Sequence, residues 1–186
     1  MTKAWTSDSP WSHKGTYWQY NDVIVEPTSS QLPHPPIWMG AGSPRSIKQV
    51  AANGFNMLLG QFDSIEQISE EIALYKTEVE NLGRVFDPKT VAVARSINIL
   101  DSKKEYEEAI TNRMASLRRT QELARRSGFE DTEEAAAAGT LYGPPDEISA
   151  KLQALKDVGV EYILVNSPAG IKTLRRFANQ VMPDFR

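Results

Sequence analysis

Cysteine is absent from this chain of 186 residues, and histidine occurs only twice, at His13 and His34. The absence of cysteine excludes disulfide frameworks, thiolate nucleophiles and cysteine-based metal sites. Two histidines are too few for a metal site that is built on several histidine ligands. We therefore predict no metal centre.

A long apolar segment and a charge excess of one sign are also lacking. No apolar run approaches the roughly 20 residues of a membrane helix, and the first ten residues are polar where a signal peptide would be apolar. The charge balance of 21 Lys and Arg against 24 Asp and Glu gives a net charge of −3. Such a small, mixed charge does not indicate nucleic acid or an anionic membrane as a partner. We expect a soluble, cytoplasmic protein that binds neither.

The first 35 residues differ from the rest of the chain. They contain three of the four tryptophans and show no helical periodicity. Thr16–Tyr20 and Val23–Val25, rich in aromatic or β-branched residues, flank Asn21-Asp22, which predicts a hairpin with a two-residue turn. Thr28–Pro36 contains three prolines and two serines, as is typical of an extended connector. We expect an arm over residues 1–35 and a domain over residues 36–186.

From residue 36 onward, short apolar runs alternate with stretches of helical periodicity. Four runs are interpreted as strands: Ile37–Met39, Phe55–Leu59, Thr90–Leu100 and Tyr162–Val165. Strands that alternate with helices predict a parallel sheet, because a parallel connection needs a crossover long enough to hold a helix. The predicted fold class is α/β with four strand-helix units, half the number in an eight-unit barrel of about 250 residues.

Local signals mark where two helices begin. Ser43 as N-cap and Pro44 as first helical residue predict the start of the first helix of this domain. Asp63 with Glu66 predicts a capping box before the second. The acidic, then alanine-rich stretch Glu130–Ala138 is interpreted as peripheral.

Several stretches, spread in order along most of the chain, share their pattern with one known family. They are His13–Val23, Pro33–Trp38, Ser43–Ile47, Ala51–Met57, Gly143–Ile148, Gly159-Val160 and Val181–Pro183. Together they resemble the bacterial luciferase-like, flavin-dependent monooxygenases. The resemblance implies part of a TIM barrel that binds reduced FMN, or F420 in some branches, at the carboxyl ends of its strands. Only strands five to eight of the family barrel are matched. The His and Arg credited with catalysis lie mostly in the other half, so no catalytic residue is assigned.

The loop Gly40-Ala41-Gly42-Ser43, with Ser46 in the first helical turn, is the strongest candidate site. Small residues let a ligand approach the backbone, and free N–H groups at the positive end of a helix favour a phosphate. The alternative is an ordinary strand-to-helix turn with a serine cap. The resemblance, in which this loop contacts the flavin phosphate, favours a cofactor site.

Three further positions are candidates. Gly60 and Gln61 follow the second predicted strand and resemble a flavin-contacting position of the family; the alternative is a turn with a solvent-facing glutamine. Arg95 places a charge in the middle of an apolar strand, which is costly if the charge is buried without a partner. It either binds an anionic substrate group or belongs to an internal salt bridge, and the salt bridge is favoured because structural ion pairs are common.

The remaining polar features are given structural roles. His34 lies between prolines and His13 lies before Gly15, so both are expected to be structural or exposed. No aromatic residues are interleaved with the basic cluster of the long charged helix, so this cluster is interpreted as a solvated helix face. The cluster consists of Arg118, Arg119, Arg125 and Arg126.

A half-barrel has consequences for assembly and for function. Four parallel strands do not close a barrel, so Ile37–Met39 and Tyr162–Val165 expose edges that invite pairing with another chain. We expect association with a second half, either in a homodimer or with a separately encoded N-terminal half-barrel chain.

The implied function is that of the C-terminal part of a monooxygenase that incorporates oxygen from O2 into a small organic substrate. The alternatives are an inactive flavin-binding or structural remnant, or a subunit that completes a partner's barrel.

Overall fold

The computed structural model describes residues 2–124 and 130–185. Contacts within the chain divide it into two units, one ending at Ile37 and one beginning at Trp38. The first unit contains a short helix and an antiparallel hairpin. The second contains a parallel sheet with its helices. In the part of the chain that the structure describes, no helix is long and apolar enough to cross a membrane.

The hairpin of the first unit turns earlier than predicted. It follows α1 (Thr2–Thr6), a helix too short to show a sequence period, and pairs β1 (Trp11–Lys14) with β2 (Gln19–Val23). The turn is formed by residues 15–18, where the Gly15 N–H donates to the Trp18 carbonyl over 3.0 Å. The predicted turn at Asn21-Asp22 is therefore wrong.

Both residues of the predicted turn lie inside β2. The register between the two strands shifts by one residue there, and Asp22 has a φ of 51°. A left-handed residue opposite such a shift is a β-bulge, so the tolerance of Asp for this conformation serves a bulge here and not a turn.

The second unit is an α/β partial barrel with five strands among its described residues, one more than predicted. The strands are β3 (Trp38–Gly40), β4 (Asn56–Leu59), β5 (Val91–Ile99), β6 (Thr140–Gly143) and β7 (Tyr162–Asn166). The α-helices are α2 (Pro44–Ala52), α3 (Ile65–Asn81), α4 (Lys103–Ala124), α5 (Glu133–Ala138), α6 (Pro145–Asp157) and α7 (Ile171–Gln180). Short 3-10 turns cover Pro88–Thr90 and Met182–Phe185.

The additional strand, β6, and the helix before it are more buried than the sequence indicated. All four residues of β6 are buried. The strand pairs in parallel with Ser96–Ile99 of β5. Ala136 of α5 is fully buried in a second core with Leu117 and Tyr142. In the stretch interpreted as peripheral, Ala136 is therefore part of the core, while residues 130–134 are exposed.

The helix starts follow the predicted signals in one case and not in the other. Ser43 is the N-cap of α2 and Pro44 its first residue, which confirms the prediction. The N-cap of α3 is Ser64, one residue later than predicted, and it forms its capping box with Gln67. The carbonyl of Asp63 instead accepts a hydrogen bond from the Arg95 side chain.

The long strand β5 is the centre of the sheet. It pairs with β4 through Val91–Val93, with β7 through Ala92–Ser96 and with β6 through Ser96–Ile99. Because Ser96 pairs with a residue of β6 and a residue of β7, these two strands lie on opposite sides of β5. Within the described residues, β3, β6 and β7 each pair with a single strand.

The two faces of the sheet have different surroundings. One face, called here the outer face, buries its apolar side chains in the main core with α2, α3 and α6. The opposite or inner face carries alternate residues of each strand, in line with the parallel register. The rings of Trp38 on β3 and Tyr162 on β7 lie 6.0 Å apart across this face, although β4 and β5 lie between the two strands. Neighbouring strands are about 4.8 Å apart, so this contact requires a sheet that curls as in a barrel wall.

Candidate functional site

Polar side chains collect at the carboxyl-terminal end of the inner face. Ser96 and Asn98 belong to β5, Tyr142 to β6 and Asn166 to β7, while Gln61 follows β4. They line a cavity of about 530 Å³ whose other wall is formed by α4 and by residues just after β7. Because the strands are parallel, their carboxyl ends meet at one edge, which is where ligands bind in open α/β sheets.

The polar groups of this wall contact each other. The Ser96 hydroxyl lies 3.2 Å from the Tyr142 hydroxyl, and both residues are buried. The Asn166 side-chain amide donates to the Gln61 side-chain oxygen over 3.4 Å. These contacts hold hydroxyl and amide groups in place around the cavity.

Arg113 of α4 supplies the charge of the cavity wall. Its Nε donates to the Ala136 carbonyl over 2.8 Å, and Nη2 donates to the Gln61 carbonyl over 3.2 Å. Its guanidinium also lies 5.4 Å from the centre of the Phe62 ring. Burial lowers the pKa of Arg113, while the neighbouring Tyr142 side chain opposes this effect. The cation is thus fixed by main-chain and aromatic contacts.

Arg95 points away from this cavity. It alternates with Ser96 along β5 and is only 2% exposed. Its Nη1 donates to the carbonyls of Gly60 and Ala94 over 2.9 and 3.0 Å, and Nη2 donates to the carbonyl of Asp63 over 2.9 Å. These hydrogen bonds go to main-chain carbonyls, whereas the sequence favoured a salt bridge. Arg95 therefore fixes the loop between β4 and α3, which carries Gln61.

The carboxyl groups near Arg95 offset only part of the cost of burying its charge. Burial lowers the pKa of Arg95 to about 10, although Asp63 and Glu71 act in the opposite direction. Burial, followed by the charge of Asp63, raises the pKa of Glu71 to about 7. One carboxyl oxygen of Glu71 is buried and has no hydrogen-bond partner among the described residues. Glu71 is therefore only partly ionised near neutral pH.

The glycine-rich loop after β3 is exposed at the same edge of the sheet. Ser43 caps α2 with its hydroxyl, which lies 2.9 Å from the Ser46 hydroxyl. The N–H groups of Gly42 and Ser43 both point to the Ser46 oxygen, at 3.3 and 3.0 Å. A Cβ atom added at Gly40 or Gly42 would have no neighbour within 4 Å. The loop therefore has open space above its backbone and two hydroxyls beside it.

Ala41 differs from the rest of this loop. It is buried, and its N–H donates to the Leu58 carbonyl of β4 over 3.1 Å. Its amide is therefore engaged in the sheet. The loop and Gln61 follow neighbouring parallel strands, β3 and β4, so the structure brings these predicted positions to one edge. Gly60 lies there too, with its carbonyl bound to Arg95.

The other sequence candidates lie elsewhere. His13 is on β1 beside Tyr20, and the His34 ring is 6.0 Å from that of Trp5. Arg118 forms an exposed ion pair with Asp131. Arg125 and Arg126 lie outside the described residues. In the described parts of the chain, no three His, Cys, Asp or Glu residues are grouped so that they could hold a metal ion.

Sequence reasoning missed most of the cavity wall. Ser96 and Asn98 interrupt an apolar run at alternate positions, a signal that could have marked one face of β5 as polar. Asn166 ends a predicted strand and could have been found by the same reasoning as Gln61. Tyr142 and Arg113 had no such signal, because only the packing of α4 against β6 brings them to the cavity.

A family model described as luciferase-like monooxygenase matches residues 1–162. The chain belongs to this family. It is 23% identical to the oxygenase component of a flavin-dependent trigonelline monooxygenase of Acinetobacter baylyi, over 100% of this chain and 58% of that protein. It is 24% identical to an FMNH2-dependent dimethylsulfone monooxygenase of Pseudomonas putida, over 96% of this chain and 54% of that protein. The chain thus spans a little over half the length of these relatives.

Solved structures share the fold. The monooxygenase RslO1 of Streptomyces bottropensis matches 100% of this chain with 58% of its own, at a TM-score of 0.76 and 21% identity. An F420-dependent secondary alcohol dehydrogenase matches 99% of this chain with 58% of its own, at a TM-score of 0.76 and 14% identity. These matches confirm the predicted fold class, a partial barrel of the α/β type.

Proposed function

We propose that the chain is the flavin-binding C-terminal part of a monooxygenase, with the FMN phosphate at the loop of residues 40–46. The observation that supports this most is the open space above Gly40 and Gly42, beside the exposed Ser43 and the half-buried Ser46. The curated relatives are flavin-dependent monooxygenases by name. Reduced flavin, when bound, supplies the electrons that activate O2.

The residues of the chain would bind and orient the cofactor. The hydroxyls of Ser43 and Ser46 can donate to phosphate oxygens, and the Gly42 N–H can turn from Ser46 to the same group. The nine-residue helix α2 begins at this point and adds its positive end. Gln61, at the same edge, is proposed to contact the flavin ring. The neighbouring cavity then accepts the small organic substrate.

A matched pair of cap substitutions tests the phosphate site. In Ser43→Asp, aspartate caps α2 as well as serine does, but its charge repels a phosphate. We expect FMN affinity to fall roughly tenfold or more, while riboflavin affinity, measured by equilibrium dialysis, changes little. Ser64→Asp makes the same change at the cap of α3 and is the control. Equal losses in both variants, or equal losses for FMN and riboflavin, would contradict the proposal.

Two further measurements separate the alternatives. F420 remains the alternative cofactor because one structurally similar protein is an F420-dependent dehydrogenase. The same dialysis with F420 in place of FMN decides between the two. Oxygen-dependent consumption of reduced flavin in the presence of an organic substrate distinguishes an enzyme from a flavin-binding remnant.

A second proposed role is to complete a barrel with another copy of the chain. The inner face supports this role, since Trp38, Tyr162 and Leu164 are 39%, 47% and 49% exposed there. With Leu58 and Ala92 they line an apolar groove of about 250 Å³. Exposed apolar faces and unpaired edge strands favour association.

Sedimentation of the pure chain tests this role. We expect a dimer that Leu164→Glu dissociates, because the new charge would be buried in the interface. Leu82→Glu is the control, since Leu82 is 52% exposed at the end of α3 and away from the groove. A monomer would contradict self-association and favour a separately encoded N-terminal half as the partner, whereas a dimer that both variants leave intact would contradict association through the inner face.

A further inference from the structure

Among the described residues, the lining of the cavity at the carboxyl edge of the sheet carries positive charge only. Fourteen of the described residues line this cavity, and Arg113 is the charged one among these; the others are apolar or carry amide and hydroxyl groups. No aspartate or glutamate from residues 2–124 or 130–185 belongs to this lining. A ligand that enters the cavity therefore meets a cation and neutral hydrogen-bonding groups.

The guanidinium of Arg113 is held in place and still has free donors. It donates to the carbonyls of Ala136 and Gln61 through Nε and Nη2. Arginine has five N–H groups, so these two hydrogen bonds leave at least two donors for a ligand. A fixed, planar guanidinium with two donors left is suited to a group with two oxygens.

The positive charge of Arg113 also has no counter-charge among the residues that the structure describes. No carboxylate in the described ranges lies within ion-pair distance of Arg113, in contrast to Arg118 and Arg176, which pair with Asp131 and Asp101. A half-buried cation without a counter-charge is costly, and an anionic ligand would offset this cost. The neutral lining cannot do so.

We propose that this cavity selects organic substrates that carry a carboxylate or sulfonate, with the oxyanion bound to Arg113. This inference rests on the proposed function, because it names the substrate class of the same site. The amides of Gln61, Asn98 and Asn112 provide further hydrogen bonds, and Phe62 and Leu117 pack against the carbon skeleton. The volume of about 530 Å³ is that of a small-molecule site.

Benzoate and benzamide test the proposal on the flavin-free chain. The two molecules have nearly the same shape, but only benzoate is charged. We expect NMR titration to show benzoate binding about tenfold more tightly than benzamide, since a charge-assisted hydrogen bond is the stronger one. The preference should disappear in Arg113→Gln, remain in part in Arg113→Lys and weaken with added salt.

Controls keep the test independent of folding. Arg118→Gln removes an equal charge from the same helix outside the cavity and should keep the preference. Benzamide needs the cavity but not the cation, so its unchanged affinity shows that a variant keeps the cavity. Equal affinities of the two probes for the unaltered chain would overturn the proposal, as would equal losses in Arg113→Gln and Arg118→Gln.

The flavin phosphate is the other source of an oxyanion at this edge. If Arg113→Gln abolished the preference for FMN over riboflavin and left benzoate binding intact, Arg113 would be a phosphate ligand and the substrate proposal would be overturned. The two proposals fail separately. Benzoate binding without any flavin binding would contradict the cofactor site at residues 40–46 and leave the oxyanion site in place.

Discussion

Replacement of Arg95 by alanine is expected to lower the free energy of unfolding by about 3 kcal/mol. The substitution leaves a cavity where a 2% exposed side chain was, and it removes the donors for the carbonyls of Gly60, Asp63 and Ala94. Release of a buried charge offsets part of this loss, since burial already lowers the pKa of Arg95. Urea unfolding followed by circular dichroism measures the change.

Two comparisons separate the contributions at this position. Arg95→Met keeps most of the side-chain volume but leaves the carbonyls without donors. The decrease in its free energy of unfolding, relative to the unaltered chain, therefore measures the contribution of the hydrogen bonds. Arg118→Ala removes an exposed ion pair, for which about 0–1 kcal/mol is expected. If Arg95→Ala cost no more than Arg118→Ala, the role of Arg95 in fixing the loop between β4 and α3 would be refuted.

Gly139→Ala is expected to destabilise the chain by about 1–3 kcal/mol and to disturb the cavity. A Cβ atom at this position would clash with the Gln61 carbonyl oxygen and lie 2.8 Å from Cα of Phe62. Both atoms belong to the main chain of the loop between β4 and α3, so the loop itself must move. Because Gln61 lines the cavity, benzamide affinity should fall together with the unfolding free energy.

Gly42→Ala is the matched control for this substitution. Gly42 has open space where its Cβ would be, and its φ lies outside the left-handed region. Stability should therefore stay the same or increase slightly, because alanine restricts the unfolded chain. If both variants unfolded at the same urea concentration, the close approach of Gly139 to the loop would have no energetic consequence.

Features with local causes could be predicted from the sequence. Ser43 and Pro44 mark the start of α2 through their own hydrogen-bonding and φ preferences, and the structure has them in those positions. Features decided by distant contacts could not. The strand Thr140–Gly143 is short and has little pattern of its own, and its pairing partner Ser96–Ile99 lies about 40 residues earlier. Asp22 supports two local structures, a turn and a bulge, and the pairing of β1 with β2 selects the bulge.

The candidate site, too, could be predicted from the sequence only where local features decide it. Gln61 could be predicted because its place after a strand fixes the edge of the sheet on which it lies. Arg95 was recognised as a buried charge, but its acceptors belong to a loop more than 30 residues earlier in the chain. Arg113 and Tyr142 meet only after α4 has packed against β6, and no spacing in the sequence indicates that contact.

The pairing of β5 with three strands, two on one side and one on the other, determines which part of the site stays ordered when the molecule fluctuates. The strands β3, β6 and β7 have one neighbour each and can fray from the sheet without breaking the centre. Main-chain amides in the middle of β5 should therefore be among the last to exchange their hydrogens with solvent. Ser96 and Asn98 belong to that strand, so we expect the floor of the cavity to stay ordered when the strands at its margin fray.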